Sequence, residues 1–365
     1  MLKAVHISDD RREEWDSFLV EQPYFALLQS WEWGELKKRL GSIVYRIAVE
    51  QEDQIVACAQ LLIKQLPGRL ISLAYVPRGP LCDWSDTETT SILLNALHTV
   101  AKSHKVTCLA IEPPLLAGQD VDQQIRQYGF RPNRFANQPR ATIIVDIAPS
   151  EDDILMHMRK KTRQYIHSAV REGIIVRYGN EEDFPAFYEL IRLTGQREHF
   201  PIRSLEYYKR EWEVLSKEGV IILLMAFYRE QLVAVRTAYR FGAHAAEFYA
   251  GSLNLSTNLH PNYLLVWEAI QWAKSKGCRT YDLWGIPGEI SDLYSPGNEP
   301  PVFERSDGLW GVYRFKCGFS KNIVSYIGAY DYVYQPVVYP LIANRFVRGE
   351  ALDRITAWMD SISSK

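Results

Sequence analysis

The residues of this 365-residue chain that could do chemistry are spread along it, not gathered into one signature. Eight histidines form no H-x-x-x-H or related spacing, so no metal site is expected. Five cysteines, Cys58, Cys82, Cys108, Cys278 and Cys317, are odd in number and show no metal-ligand pairing. They read as reduced, mostly buried thiols of a cytoplasmic protein. There is no G-x-S-x-G elbow and no Cys/His arrangement for a protein nucleophile. What remains is placed charge. Arg78 stands in Pro77-Arg78-Gly79-Pro80 at a strand end. There a guanidinium could hold a carboxylate or phosphate by two parallel bonds, or close a structural ion pair. Arg159, Lys160, Lys161, Arg163 and Arg171 fall on one expected helix, with 159 and 163 on one face. That segment fits attraction to RNA phosphates or an ordinary solvated basic face. No RRM, KH or zinc-knuckle pattern accompanies it.

The elements that must position these residues are organised by an internal repeat. Ala101-Lys102-Ser103 runs into Cys108-Leu109-Ala110-Ile111, and Ala273-Lys274-Ser275 runs into Thr280-Tyr281-Asp282-Leu283, at an offset of 172 positions. Each is the end of an amphipathic helix leading into a strand. Leu94, Leu97, Val100 and Ala101 mark the apolar face of one copy, and Leu265, Ala269, Ile270 and Ala273 that of the other. Each copy then has a Gly-Phe pair, Gly129-Phe130 or Gly318-Phe319, expected to start a last strand. Upstream, two helices between Trp15 and Leu40 precede a hairpin, 44–49 with 55–63. Helices 183–193 and 204–217 precede a hairpin of 220–228 with 232–241. The pattern helix-helix-strand-strand-strand-helix-strand therefore occurs twice, which means an α/β (α+β) fold with mixed sheets. The length suits about two domains. A net charge of −2 argues against a surface that coats nucleic acid as a whole. The N-terminus carries no apolar signal region, and no apolar run approaches the about 20 residues of a membrane span. Trp 10, Tyr 21 and Phe 14 are many, as for large cores or for clefts whose walls are apolar at one end and polar at the other.

The order of elements in each copy resembles the GNAT acyltransferase fold, and the local sequences resemble the Fem family of peptidoglycan interpeptide-bridge aminoacyltransferases. The matching stretches run from Leu28-Gln29-Ser30-x-Glu32-Trp33-x-x-Leu36-Lys37 through Tyr75-Val76-Pro77-Arg78-Gly79-Pro80 and 159–173. They continue with Phe248-Tyr249-Ala250-Gly251-Ser252, Pro261-Asn262-Tyr263 to Glu268, Tyr281-Asp282-Leu283-Trp284-Gly285-Ile286 and Gly311-Val312-Tyr313-Arg314-Phe315-Lys316. The resemblance implies two tandem GNAT-like domains, 1–148 plus 325–365 and 149–324, with the last strand and C-terminal helix returning to the first domain. No long heptad stretch occurs, so the chain is similar to the FemX-like form without a coiled-coil arm.

The resemblance further implies transfer of Gly, Ala or Ser from an aminoacyl-tRNA to the stem-peptide amine of a UDP- or lipid-linked muropeptide. No cofactor is implied. A lipid-linked acceptor implies peripheral contact with the inner membrane face. The donor ester is already activated, so the enzyme need only position, deprotonate and stabilise an oxyanion. On the family pattern the pair Phe315-Lys316 supplies the cation for that oxyanion; otherwise Lys316 is an exposed strand-end lysine. Lys37 would meet precursor phosphates, or be a solvated helix lysine beside Lys38 and Arg39. Arg78 is the first-domain candidate already described. Tyr249, Asn262 and Tyr263 would line the second-domain cleft, or simply pack. Asp282 would orient the amine or take its proton, or cap a turn. One departure stands out: 257–260 reads Thr-Asn-Leu-His, without the arginine some FemX-like members place there. An acyl-CoA N-acyltransferase is the competing enzyme, but neither 83–88 nor 259–262 offers the glycine-rich turn that would hold a pyrophosphate. A muropeptide-binding protein without turnover is the third reading.

Overall fold

The computed structural model describes residues 1–65, 71–133, 136–254, 259–294, 298–305 and 308–341. The chain divides into two compact units, Met1–Gln138 with Tyr326–Lys365, and Pro139–Ser325. The first unit begins β1 (Lys3–His6), α1 (Arg12–Val20), α2 (Trp31–Arg39), β2 (Ile43–Gln51), β3 (Gln54–Gln65) and β4 (Ser72–Val76). It continues with α3 (Thr87–Ser103), β5 (Cys108–Ile111), α4 (Gln119–Arg126) and β6 (Arg131–Asn133). The second holds β7 (Ala141–Asp146), α5 (Glu151–His157), α6 (Lys160–Arg171), β8 (Ile175–Tyr178), α7 (Phe184–Glu198) and α8 (Leu205–Leu215). Then follow β9 (Ile221–Tyr228), β10 (Gln231–Phe241), β11 (His244–Ser252), α9 (Pro261–Ser275) and β12 (Thr280–Ile286). α10 (Ile290–Leu293), α11 (Leu309–Lys316) and β13 (Ile323–Ser325) close that unit, and β14 (Ala329–Val333) belongs to the first.

The repeat is visible in the sheets. One orders its strands β1-β2-β3-β4-β5-β14-β6, the other β8-β9-β10-β11-β12-β7-β13. Position by position these are the same sheet, with one exchange: the strand after β6 enters the second sheet, and the strand after β13 enters the first. The expected boundary at 148 therefore differs from the structure, because β7 pairs with β12 and β13. The return of the last strand to the first sheet is seen as β14 pairs with β5 and β6. The expected C-terminal helix, in 342–365, lies outside the described residues. Gly129-Phe130 leads directly into β6, as expected, whereas Gly318-Phe319 does not open a strand but forms the turn that ends α11.

Hydrophobic period builds both cores. α3 buries Leu93, Leu94, Leu97, Val100 and Ala101 on the first sheet; α9 buries Leu264, Leu265, Ala269, Ile270 and Ala273 on the second. Each helix joins a parallel strand pair, β4 to β5 and β11 to β12, as such a pair requires. Here the copies diverge. The β4–β5 ladder runs from Leu73↔Cys108 to Val76↔Ile111, and the Glu112 N–H extends it to the Val76 and Gly79 carbonyls. The β11–β12 ladder stops after His244↔Thr280, Ala245↔Tyr281 and Ala246↔Asp282, although β11 continues to Ser252 and β12 to Ile286. Two irregularities lie at the opening. Phe248 and Tyr249 together oppose Thr237, whose hydroxyl accepts the Tyr249 N–H at 3.2 Å. In β12 the register with β7 shifts between Asp282 and Gly285, where Trp284 takes φ 63°.

Beyond the bulge, β11 lies against α7. A Cβ on Gly251 would come within 2.8 Å of Ile191 N and Leu190 C and 2.9 Å of Leu190 O. Those are backbone atoms of a helix and cannot rotate away. Gly251→Ala is expected to lower stability by about 1–3 kcal/mol, read as a reduced urea midpoint at unchanged slope.

Candidate active site

The opened half of β12 carries the site. Lys316 is the last residue of α11, and α11 lies over β12. The lysine is only 7% exposed, so it is not the exposed strand-end residue the sequence allowed. Its Nζ donates to the Gly285 carbonyl at 2.9 Å, on the part of β12 that β11 has left. An ammonium has three donors, and among the described residues this is the one acceptor that Nζ finds. Burial lowers its pKa from 10.5 to about 8; Glu247 and Asp282 pull it back up, and Arg236 pushes it further down.

Those three neighbours are also buried, Arg236 at 3%, Glu247 at 5% and Asp282 at 5% exposure. Arg236 Nη1 lies 2.5 Å from Glu247 Oε2, and the Tyr281 hydroxyl donates to the same oxygen at 3.4 Å. Asp282 lies within β12, not at its end. Its Oδ1 accepts the Trp284 N–H at 2.7 Å and the Thr142 hydroxyl. It thus ties down the irregular turn of β12, and its charge acts on the lysine.

Phe315 and Tyr263 meet edge to face at 4.7 Å, and Tyr263 stacks on Phe319 at 5.7 Å. Tyr263 also approaches Tyr165 of α6, which stacks on His260 at 3.7 Å. Asn262 is half-buried in the first turn of α9, after His260 in the left-handed region at φ 51°. Thr257 and Asn258 of the departing stretch lie outside the described residues. Tyr249, at the bulge, packs on Tyr208 at 4.9 Å, and its neighbour Phe248 reaches Trp284 at 4.4 Å. The second unit therefore brings Lys316 and Asp282 into one polar cluster, bordered by Phe315 with Tyr263 and by the Phe248–Tyr249 bulge.

Lys37 and Arg78 belong to the first unit. Lys37 lies in the last turn of α2 with its Nζ 4.4 Å from the Trp33 ring. Arg78 is buried, in the left-handed region at φ 47°, with its guanidinium 4.1 Å from the Tyr326 ring. Near it, Glu112 directly follows β5 and accepts from the Tyr75 hydroxyl and the Asn137 N–H, both at 2.5 Å, and from the Gln138 N–H at 3.1 Å. Burial raises the Glu112 pKa, against those bonds and the Arg78 charge.

The basic helix separates into two parts. Arg163 Nη1 donates to the carbonyls of Leu155 at 3.3 Å, Met156 at 3.0 Å and Met158 at 2.7 Å, closing the C-terminal end of α5. Arg159, Lys160 and Lys161 are exposed at the start of α6, with Lys161 Nζ 5.4 Å from the Tyr165 ring. Arg171 lies at the far end, beside Ser168 and Glu172. None of the five cysteines is in a disulfide, and four of them are buried. Among the described residues no group of His, Cys, Asp and Glu could hold a metal ion, and no helix is long and apolar enough to cross a membrane.

Sequence reasoning missed Arg236, Glu247 and Glu112. The signal was present: single charges inside the apolar runs 232–239 and 244–250, and at the end of 108–111, must be paired if those runs are buried strands.

The sequence profile of the FemAB family matches residues 11–232 and 224–344. A lipid II:glycine glycyltransferase of Staphylococcus aureus (strain MRSA252) is 24% identical over 416 aligned residues, spanning 93% of this chain and 95% of the relative. The crystal structure of FemX matches with a TM-score of 0.79 at 22% identity, over 94% of this chain and 100% of that one. A tandem GNAT protein from the clavulanic acid biosynthesis pathway matches with a TM-score of 0.53 at 11% identity, over 91% and 98% of the two chains. These likenesses bear out the tandem GNAT-like fold.

The division of the basic helix is open to measurement. Arg163→Ala removes three bonds from a charged donor and is expected to cost about 1–2 kcal/mol in chemical denaturation, whereas Lys160→Ala leaves the midpoint unchanged.

Proposed function

The chain belongs to the FemAB family, and on that premise we propose that it is an aminoacyltransferase extending the stem peptide of a peptidoglycan precursor. The S. aureus relatives, named as lipid II:glycine glycyltransferases, favour glycine as the transferred residue and a lipid-linked acceptor. Aminoacyl-tRNA is the donor in this reading, and a lipid-linked acceptor would bring the protein to the inner membrane face. The cytoplasm is where both substrates meet.

One observation supports the reading: a buried ammonium whose one acceptor among the described residues is the Gly285 carbonyl, where the ladder of a parallel strand pair has stopped. In the reaction the acceptor amine attacks the ester carbonyl. Its C–O π pair moves to oxygen, and the resulting oxyanion takes hydrogen bonds from Lys316 Nζ. Collapse forms the amide and breaks the bond to the ribose oxygen, which leaves with the proton that the amine loses. A cation held in a poorly solvated site stabilises such an oxyanion more than water does. Phe315, packed on Tyr263, fixes the end of α11 from which Lys316 projects. Tyr249 and Asn262 border the donor's path, and Asp282 holds β12 in the shape that presents the Gly285 carbonyl. Lys37 and Arg78 are assigned to the acceptor's anionic groups, Lys37 as a point charge and Arg78 as a planar fork.

The test is incubation with a panel of charged tRNAs and with UDP- and lipid-linked precursors, followed by mass analysis. A glycyl adduct on the lipid-linked precursor is expected; no adduct with any pair would overturn the reading. Lys316→Met is expected to lower kcat by about 100- to 1000-fold with little change in KM. Since the lysine acts in its charged form and its pKa is lowered to about 8, wild-type activity should show an alkaline limb that falls as pH rises through that value. An alkaline limb at the ordinary lysine range would contradict a buried catalytic ammonium.

A further inference from the structure

The cluster around Lys316 holds two cations and two anions, all but withdrawn from water. Burying a lone ammonium in an apolar interior costs many kcal/mol, and the group would deprotonate instead. A carboxylate is therefore needed nearby. A carboxylate bonded directly to Nζ, however, would occupy its donors and cancel its field. The structure avoids both outcomes. Glu247 Oε2 is engaged by Arg236 Nη1 at 2.5 Å and by the Tyr281 hydroxyl. Asp282 Oδ1 is engaged by Trp284 N–H and the Thr142 hydroxyl. The acceptor that Nζ meets is a neutral backbone carbonyl.

The strand register explains how this is built. Ala238 opposes Glu247 and Arg236 opposes Ala250, so the bulge at Phe248–Tyr249 separates the two pairs. The ion pair thus forms diagonally across the irregularity that opens the ladder. Asp282, opposite Ala246, stands one strand further on. Buried at the end of the β11–β12 ladder, where Lys316 reaches the Gly285 carbonyl, are then Arg236 from β10, Glu247 from β11 and Asp282 from β12, with Tyr281 bonded to Glu247.

We propose that Arg236 and Glu247 are a positioning pair for the Lys316 ammonium: Glu247 holds its charge in place at a distance, and Arg236 keeps the carboxylate from capturing it. This rests on Lys316 being the oxyanion-stabilising group. Neither residue touches the reacting atoms. The pair sets the fraction of Lys316 that is charged and leaves its donors open.

Opposite shifts distinguish this role from a merely structural one. Glu247→Gln removes the supporting anion and leaves the Arg236 cation, so Lys316 should lose its proton at a lower pH. Arg236→Gln releases the carboxylate toward Nζ, so Lys316 should keep its proton to a higher pH. The readout is the Lys316 resonance in protein labelled at lysine 13Cε, assigned with Lys316→Arg, followed through pH. The expected midpoint moves down by about one unit in the first variant and up by about one in the second. The alkaline limb of kcat should move with it. Midpoints of both variants that coincide with wild type would overturn the proposal.

If either single variant fails to fold, Arg236→Gln with Glu247→Gln keeps the site neutral overall. That double variant should lose about tenfold in kcat at neutral pH with KM unchanged; a wild-type kcat would overturn the proposal. Lys316→Met in the same assay separates the two claims. If it turns over like wild type, the lysine reading falls and this one with it. If it is inactive while the pair variants leave the midpoint unmoved, the pair's role alone falls.

Discussion

The second unit is organised around one costly act, the burial of a lysine ammonium at the end of a short helix. A charge in that position is tolerable only if anions stand near it, and those anions in turn need partners. Three adjacent strands meet that demand with one charged residue each, Arg236, Glu247 and Asp282. Their partners are a guanidinium, a tyrosine and a threonine hydroxyl, and a backbone N–H. The surrounding core is dense with aliphatic and aromatic side chains, which keeps water out and makes each of these interactions stronger.

The chain holds two copies of one sheet order, and the copies differ at the end of the parallel strand pair. In the first, the Glu112 N–H continues the β4–β5 ladder, and an isolated bridge between Cys58 and Leu81 covers the next turn of chain. That end of the sheet holds Arg78 against an aromatic ring beside the Glu112 network. In the second, the ladder stops three residue pairs in, and the strand ends part around a lysine.

Much of this architecture was legible in the sequence. The helical period of 93–101 and of 264–273, and the paired apolar runs around a short polar turn that mark the two hairpins, are local properties. They are written within a dozen residues and survive in the folded chain. Lys316 was legible through the family resemblance of its neighbourhood, but not its burial. The residues around it read as a strand approach, whereas 309–316 form a helix that lies over β12. Arg163 was read as part of a basic face, yet its fork closes the preceding helix, because α5 and α6 meet at an angle no local pattern specifies.

By itself, then, the sequence determined the repeated order of helices, hairpin, helix and strand, and the residue types available for chemistry. These follow from side-chain periodicity and turn chemistry, which act over short stretches. Only the tertiary structure decided which charges meet. Arg236 and Glu247 are 11 positions apart, and Lys316 lies 69 beyond Glu247. Their encounter depends on a bulge in one strand and a register shift in another. Register is a cooperative property of the whole sheet, fixed by packing on both faces, and no single segment encodes it.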